Sequence, residues 1–375
     1  MEKYFCRHGG MMKKYIFKEQ KIAQEYKYIF LCGAHYGKGD ERDKRNVLRR
    51  FLSGQSESYR PVILEDNFIF RKDSSQYLVY DDIHMKDLYQ IEMLMNYLSD
   101  YNIIIQESIS TGAETGLFLS EPNSLKKTCL LLPDYMAVEE DKLGQFIRLA
   151  FKKSPNEVKV IKFFPRIEPS IVSSNVKYWH TYFYGDEIGV NLGGKILKFV
   201  EMGHLEYKIQ FVKEMKKVEF GGIHYQIKGR QLEITILPRT LLCCIAALFN
   251  IEELLKKVIN AESKMLKEYI EDIKQCLFEV FRNSIEEKTG RETDSCSIKV
   301  KMNVNGVYIG EIIGMCLYLF QAAGFIEIKK DKNYIDNRKV VIHRKMVVYQ
   351  DGSKHFFYEK YQGSMDCIVN TQIVV

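Results

Sequence analysis

Short apolar runs, each closed by small or polar residues, alternate with stretches of helical period over roughly the first 165 residues. Residues 28–32 (YIFLC) end at Gly33, residues 60–64 at Glu65 and Asp66, and residues 103–105 in the polar stretch 106–112. Residues 128–132 (TCLLL) and 158–163 complete the series. Runs this short and this apolar predict strands buried on both faces. The intervening spacing predicts helices over 41–52, 84–98 and 141–151. The first has Val47, Leu48, Phe51 and Leu52 inside and a basic outer face of Arg42, Lys44, Arg45, Arg49 and Arg50. The second is striped by Leu88, Ile91, Met95 and Leu98. A further helical pattern resumes at Ala113, which places Glu114 in its first turn. Strands alternating with helices in this way predict an α/β fold with a doubly wound parallel sheet.

The pattern changes after residue 165. Residues 196–200, 207–212 and 232–237 are short apolar runs separated by Gly193-Gly194 and Gly221-Gly222, which predicts a β-containing connector over 166–240. Helical spacing returns over 241–287. A helix over 307–323, a glycine, the run 325–330, a charged turn and the basic segment 339–344 have the outline of a winged helix. The division expected is an N-terminal extension (1–27), the α/β domain (28–165), the connector, and a helical, winged-helix-like region (241–375) for nucleic acid or partners. Residues 290–297 are the expected hinge.

Composition narrows the class. The chain of 375 residues is 46% hydrophobic and 28% charged, with a formal net charge of +6. No apolar run reaches the ~18 residues of a membrane helix, and the charged N-terminus lacks a signal-peptide pattern. A cytoplasmic protein with no membrane association is the expectation. Nine cysteines without a C-x-x-C pair, and eight histidines without ligand spacing, predict reduced core thiols and no metal site. The charge is more informative locally: seven Lys/Arg against two Asp between residues 329 and 345 make Lys329, Lys330, Lys332, Arg338, Lys339 and Arg344 candidate nucleic-acid contacts.

Candidate chemistry gathers where predicted strands end. Gly33, Tyr36 and Arg42 follow the first strand, Glu65 and Asp66 the second, and Glu107, Ser108, Thr111, Gly112 and Glu114 the third. In doubly wound sheets this edge holds the ligand. Several carboxylates in one site suit cleavage of an N-glycosidic bond, one meeting the electron-poor C1′ and others gripping ribose hydroxyls. Arg42 and Arg45 on the basic helix suit phosphate groups.

The pattern Phe30-Leu31-Cys32-Gly33, Glu65-Asp66, then Glu107-Ser108 through Thr111, Glu114 and Gly116 resembles the nucleoside 2-deoxyribosyltransferase family. It resembles most the deoxyribosyltransferase-like effector proteins of bacterial retrons, the toxin component of an anti-phage system. The likeness covers residues 28–163. It implies an N-glycosidase that uses NAD as substrate rather than as cofactor. Glu114 is then the nucleophile or oxocarbenium stabiliser, with Glu107 and Asp66 assisting. Gly33, Tyr36, Arg42, Glu65, Ser108, Thr111 and Gly112 are the implied substrate contacts. The implied partners are a reverse transcriptase and its multicopy single-stranded DNA, in a larger oligomeric complex. Deoxyribosyltransferases usually carry an Asp before the catalytic Glu, where this chain has Glu107, Ser108 and Ser110, which favours glycosidic cleavage over nucleoside exchange. Two other readings remain at this stage: a salvage deoxyribosyltransferase or nucleotide hydrolase, and a nucleotide-sensing DNA-binding regulator without catalysis.

Overall fold

The structure is a computed structural model that describes residues 12–19, 21–22, 26–34, 36, 42–66, 88–134, 159–165, 181–202, 207–213, 218–304, 306–335, 341–350, 352, 354–361 and 363–370. The helix expected over 141–151 and the loop residue His35 lie outside them. The chain divides into two compact units, Tyr26–Leu78 with Asp87–Leu205, and Met1–Glu25 with Val79–Lys86 and Glu206–Val375.

In the first unit, β1 (Lys27–Cys32), β2 (Tyr59–Val62), β3 (Tyr101–Ile105), β4 (Thr128–Pro133) and β5 (Lys159–Phe163) form one sheet in the order β2-β1-β3-β4-β5. Every pairing is parallel. All five residues of β3 are buried, as its unbroken apolar run requires of a strand covered on both sides. Helix α1 (Lys44–Gln55) starts where the Asp43 carboxylate accepts the Arg45 backbone N–H at 3.0 Å. Its Val47, Leu48 and Leu52 join Ile29, Leu31, Ile103, Ile105, Leu131 and Ile161 on one face of the sheet. On the other face lie α2 (Leu88–Leu98) and α3 (Ile109–Leu119), and Phe118 meets Phe30 with ring centroids 5.7 Å apart. The strand order reverses between β1 and β3, which makes their carboxyl ends the topological switch point.

Two expectations change here. Residues 196–200 are not a strand but part of α4 (Val190–Glu201), which adds Leu192, Ile196, Phe199 and Val200 to the same core face as α1. The Gly193-Gly194 pair reads as a breaker in sequence, yet Gly193 lies in the helix and leaves room for the Phe51 ring. Residues 181–205 of the expected connector thus belong to the first unit. The second change is in α3. It begins at Ile109 rather than Ala113, because Ser108 and Thr111 form a capping box, so Glu114 stands in the second turn.

At the opposite end of β3 a buried polar network ties the elements together. Asn102 Nδ2 donates to Asn96 Oδ1 at 2.7 Å, Ser99 Oγ to Asn102 Oδ1 at 2.6 Å, and Asn96 Nδ2 to Ser124 Oγ at 2.7 Å. Thr128 Oγ1 closes the set on the Ser124 carbonyl at 2.7 Å. Every hydroxyl and amide here has a partner, so the network fixes how α2 meets β3 and β4.

In the second unit a four-stranded mixed sheet runs β6 (Gln210–Val212), β7 (Gly222–Lys228), β8 (Gln231–Ile236), β9 (Ser297–Met302). The region expected to be helical over 241–287 is two helices, α5 (Pro238–Leu248) and α6 (Leu266–Thr289), with turns between. α5 is buried along its whole length. α6 stops at Gly290, whose φ of 64° is open only to a residue without the Cβ penalty. Then come α7 (Ile309–Ala322), Gly324, and the antiparallel pair β10 (Ile326–Ile335) and β11 (Val341–Tyr349). Helix α8 (Lys354–Tyr361) places Phe357 5.1 Å from Phe320 and 5.2 Å from Phe249 and Phe325. The segment expected to be an extension contributes the strand Met12–Phe17, antiparallel to Met365–Asn370.

Candidate active site

A cavity of about 80 Å³ opens at the switch point of the first unit. Phe30, Leu31 and Cys32 from the end of β1, with Leu64 and Leu88, form its largely apolar wall. Glu65, Glu92, Glu114 and Arg45 complete the lining. Glu65 follows β2 in the short turn Leu64–Asp66, Glu92 comes from α2, and Glu114 from α3. Ligand pockets usually run to about 300 Å³ or more, so a nucleotide has to widen this one.

Glu114 is the most perturbed of the three carboxylates. Burial pushes its carboxyl up to about 8, with the nearby charges of Glu92 and Glu65 adding to the shift and Arg45 opposing it. Its Oε2 is buried and accepts no hydrogen bond from any described residue. Burial likewise raises Glu92, to about 7, with Glu65 contributing. Arg45 Nη1 donates to Glu65 Oε1 at 2.8 Å. Arg45 was expected on an outer basic face, but it is among the most deeply buried large side chains. Burial alone would lower its guanidinium. Hydrogen bonds to Asp43 and the pairing with Glu65 instead carry it above its ordinary value. Its donors are engaged by carboxylates, so it does not stand ready for phosphate. Gly33 lies against its stem: a Cβ there would sit 3.0 Å from Arg45 Cγ.

The remaining residues singled out from the sequence fall around this centre rather than in it. Glu107 is paired with Lys44, and Asp66 with Arg49. The Thr111 side chain is buried; its hydroxyl donates to the Ser108 carbonyl at 2.8 Å and accepts the Ser108 N–H at 3.0 Å. Ser108 Oγ accepts the Thr111 N–H at 3.2 Å. Both hydroxyls therefore hold the turn that aims α3. Gly112 is backed by Gln106, whose Nε2 would lie 3.2 Å from an added Cβ. Tyr36 is exposed, with the Arg42 guanidinium 5.5 Å from its ring centre. In the second unit, Lys329 is exposed and paired with Glu327, and Arg344 is exposed with Nη1 3.4 Å from the Ser263 carbonyl. Arg338, Lys339 and the side chains of Lys330 and Lys332 lie outside the described residues.

Sequence reasoning passed over Glu92 and Asp43. The signal for Glu92 is a lone carboxylate in the apolar helix LYQIEMLMNYL, beside Ile91, Met93 and Leu94. Asp43 is visible only as a helix cap, and its grip on Arg45 depends on the fold.

Chemically, the centre offers one desolvated carboxylate in an apolar-walled cavity with two further acids in reach. Such a group can attack or stabilise an electron-poor carbon once ionised, or carry a proton before that. Among the described residues no group of three His, Cys, Asp or Glu could hold a metal ion, and no helix is long and apolar enough to cross a membrane.

No curated protein matches the chain. Among solved structures it is similar to a conserved protein from Enterococcus faecalis V583 at 11% identity, over 36% of this chain and 81% of that one, with a TM-score of 0.23. So low a score bears on neither fold nor function. Residues 41–330 match the family described as STM3845 retron effector protein, a span that takes in Arg45, Glu65, Glu92 and Glu114 of the cavity lining, the second unit's mixed sheet and helices α5 to α7. The chain belongs to the STM3845 retron effector protein family.

Proposed function

We propose that this retron effector is an N-glycosidase, acting as the toxin of an anti-phage system and cleaving NAD or a related nucleotide. The observation that carries the reading is Glu114: a carboxylate whose buried Oε2 has no hydrogen-bond partner among the described residues, in a cavity at the switch point of a parallel sheet. A carboxylate left unsatisfied costs stability, which a purely structural role would not repay.

The chemistry is balanced without a further reactant besides water. The C1′–N bond of the cationic nicotinamide ribosyl breaks with its electron pair moving to the ring nitrogen, so nicotinamide leaves neutral. Ionised Glu114 bonds to C1′ or stabilises the oxocarbenium ion. Water then adds to C1′ to give ADP-ribose; where a bond to Glu114 has formed, the carboxylate is displaced with the C1′–O electron pair, and the water's proton passes to a cavity carboxylate or to solvent. The apolar wall of Phe30, Leu31, Leu64 and Leu88 suits a flat ring. Glu107 and Asp66, each paired with a cation of α1, tie the segments that follow β3 and β2 to that helix.

The second unit is the proposed seat for the reverse transcriptase and its multicopy single-stranded DNA. The winged-helix outline of α7, Gly324, β10 and β11 supports this, as do the cations of β10 and β11. Phosphate contacts from such a strip give salt-sensitive binding.

The test is to express wild type and Glu114→Gln, with and without reverse transcriptase and its DNA, and to follow cellular NAD alongside growth. NAD should fall with growth arrest in the wild type and hold steady in the variant. Unchanged NAD in arrested wild-type cells would sink NAD as substrate. Arrest by Glu114→Gln as strong as by wild type would favour the non-catalytic, DNA-binding alternative.

A further inference from the structure

Three carboxylates face the cavity, and Glu65 among them is held by a built support. Arg45 donates to Glu65 Oε1 through Nη1, while Asp43 grips the rest of the guanidinium, with Nε to Oδ1 at 2.9 Å and Nη2 to Oδ2 at 2.7 Å. The Arg45 and Asp43 side chains are each 2% exposed. Asp43 is fixed in turn as the cap of α1, and the Arg45 stem is wedged over Gly33. A guanidinium anchored on three sides cannot swing to follow a ligand, so Glu65 presents its free lone pairs at one place.

That place is informative. Glu65 stands just past the end of β2, beside β1, with its side chain about one-third exposed. In the dinucleotide-binding version of such sheets an acid beyond the first strand–helix turn hydrogen-bonds a ribose 2′-hydroxyl, and Glu65 occupies a comparable strand-end position. A carboxylate held by a guanidinium on one oxygen keeps acceptor capacity for O–H groups from neighbouring carbons of a sugar. Glu114 and Glu92, raised toward the protonated form by burial, are poorer acceptors for the same hydroxyls.

We propose that Glu65, set by the Asp43–Arg45 support, accepts hydrogen bonds from the vicinal diol of the sugar, so that the site selects ribosyl over 2-deoxyribosyl groups. Arg45 and Asp43 are positioning residues, acting through Glu65. The inference rests on the N-glycosidase reading and narrows it to ribonucleotides, against a salvage enzyme for deoxynucleosides.

The experiment has two arms, on wild type, Glu65→Ala, Glu65→Gln and Arg45→Lys, each checked for folding by thermal melting. The binding arm titrates ribose 5-phosphate and 2-deoxyribose 5-phosphate calorimetrically. The wild type should bind the ribose probe about ten- to a hundredfold tighter, as for a hydrogen bond to a charged group. Glu65→Ala should bring that ratio close to one. Glu65→Gln, which keeps one acceptor oxygen, and Arg45→Lys, which loses the fork, should fall between. The cleavage arm compares NAD with its analogue lacking the 2′-hydroxyl on the nicotinamide ribose. Arg45→Lys should raise KM for NAD more than it lowers kcat. Equal binding of the two sugars by wild type, or a ratio that survives Glu65→Ala, overturns the inference. If NAD and its deoxy analogue are cleaved with equal kcat/KM, the sugar selection falls and the N-glycosidase reading stands. If neither is cleaved but the sugar preference follows Glu65, the NAD reading falls and the sugar site stands.

Discussion

Gly33 lies so close to Arg45 that a β-carbon on it would sit 3.0 Å from Cγ and 3.1 Å from Cδ of the buried stem. The stem cannot move aside cheaply, because its guanidinium is tied to Asp43 and Glu65. Gly33→Ala should cost about 1–3 kcal/mol, the usual range for overpacking a filled site, measured by urea unfolding.

Glu114 links the site to stability through pH. Its folded carboxyl is raised to about 8 from an ordinary 4.5, chiefly by burial. A raised acid favours the folded state when protonated. That contribution is full below about pH 4.5 and is lost as pH rises toward 8. Glu114→Gln removes the titration. The variant should therefore melt about 2 °C or more above wild type at pH 8, with the gap closing toward pH 5. A gap independent of pH would show that burial does not act on the carboxylate in this way.

If Glu114 reacts as the carboxylate, glycosidase activity should climb between pH 6.5 and 8.5, following a group of about 8. The kcat/KM profile of the purified enzyme on NAD reads this directly. Arg45 opposes the rise of Glu114, so Arg45→Met should move the profile to higher pH.

Gly193 and Phe51 offer a cleaner packing test. A Cβ on Gly193 would meet Phe51 Cζ at 2.7 Å, whereas one on Gly194 meets nothing within 4 Å among the described residues. Gly194→Ala should stabilise by up to about 1 kcal/mol through helix propensity. Gly193→Ala should lose that gain to crowding and fall below wild type. In a Phe51→Ala background the same change should become stabilising, and a double-mutant cycle gives the coupling.

At the far end of β3, Asn102→Ala leaves Asn96, Ser99 and Thr128 short of partners in a buried setting. A loss of about 2 kcal/mol or more is expected from chemical denaturation. Asn102 pairs with Phe30 across the sheet but does not itself line the cavity, so kcat on NAD should change less than stability does.

The parallel sheet was legible because strands covered on both faces leave unbroken apolar runs, as in Ile103-Ile104-Ile105, and because each run ends in a polar loop. The same rule located Glu65 and Glu114 at the strand ends. What sequence could not do was rank the acids there. Glu107 and Asp66 are neighbours of Glu114 and Glu65 in the chain, yet cations of α1 hold them aside while Glu92 arrives from a helix. Arg45 was misplaced because helical periodicity counts a charged residue as outward unless its partners are known. The strand expected over 196–200 failed for a local reason: the glycine pair that suggested a break leaves space for an aromatic ring.

The pairing of Met12–Phe17 with Met365–Asn370 bears on when the molecule becomes whole. On a ribosome emitting roughly 5–20 residues per second, tens of seconds separate the two strands. The α/β unit, whose five-stranded parallel sheet lies before residue 165, can collapse while the early strand still waits. The second unit closes its terminal ribbon only after residue 370 has emerged, across one of the longest loops the chain can form. Nascent or truncated chains are therefore expected to carry a finished α/β unit, with its cavity and carboxylates in place, before the terminal ribbon of the second unit can close.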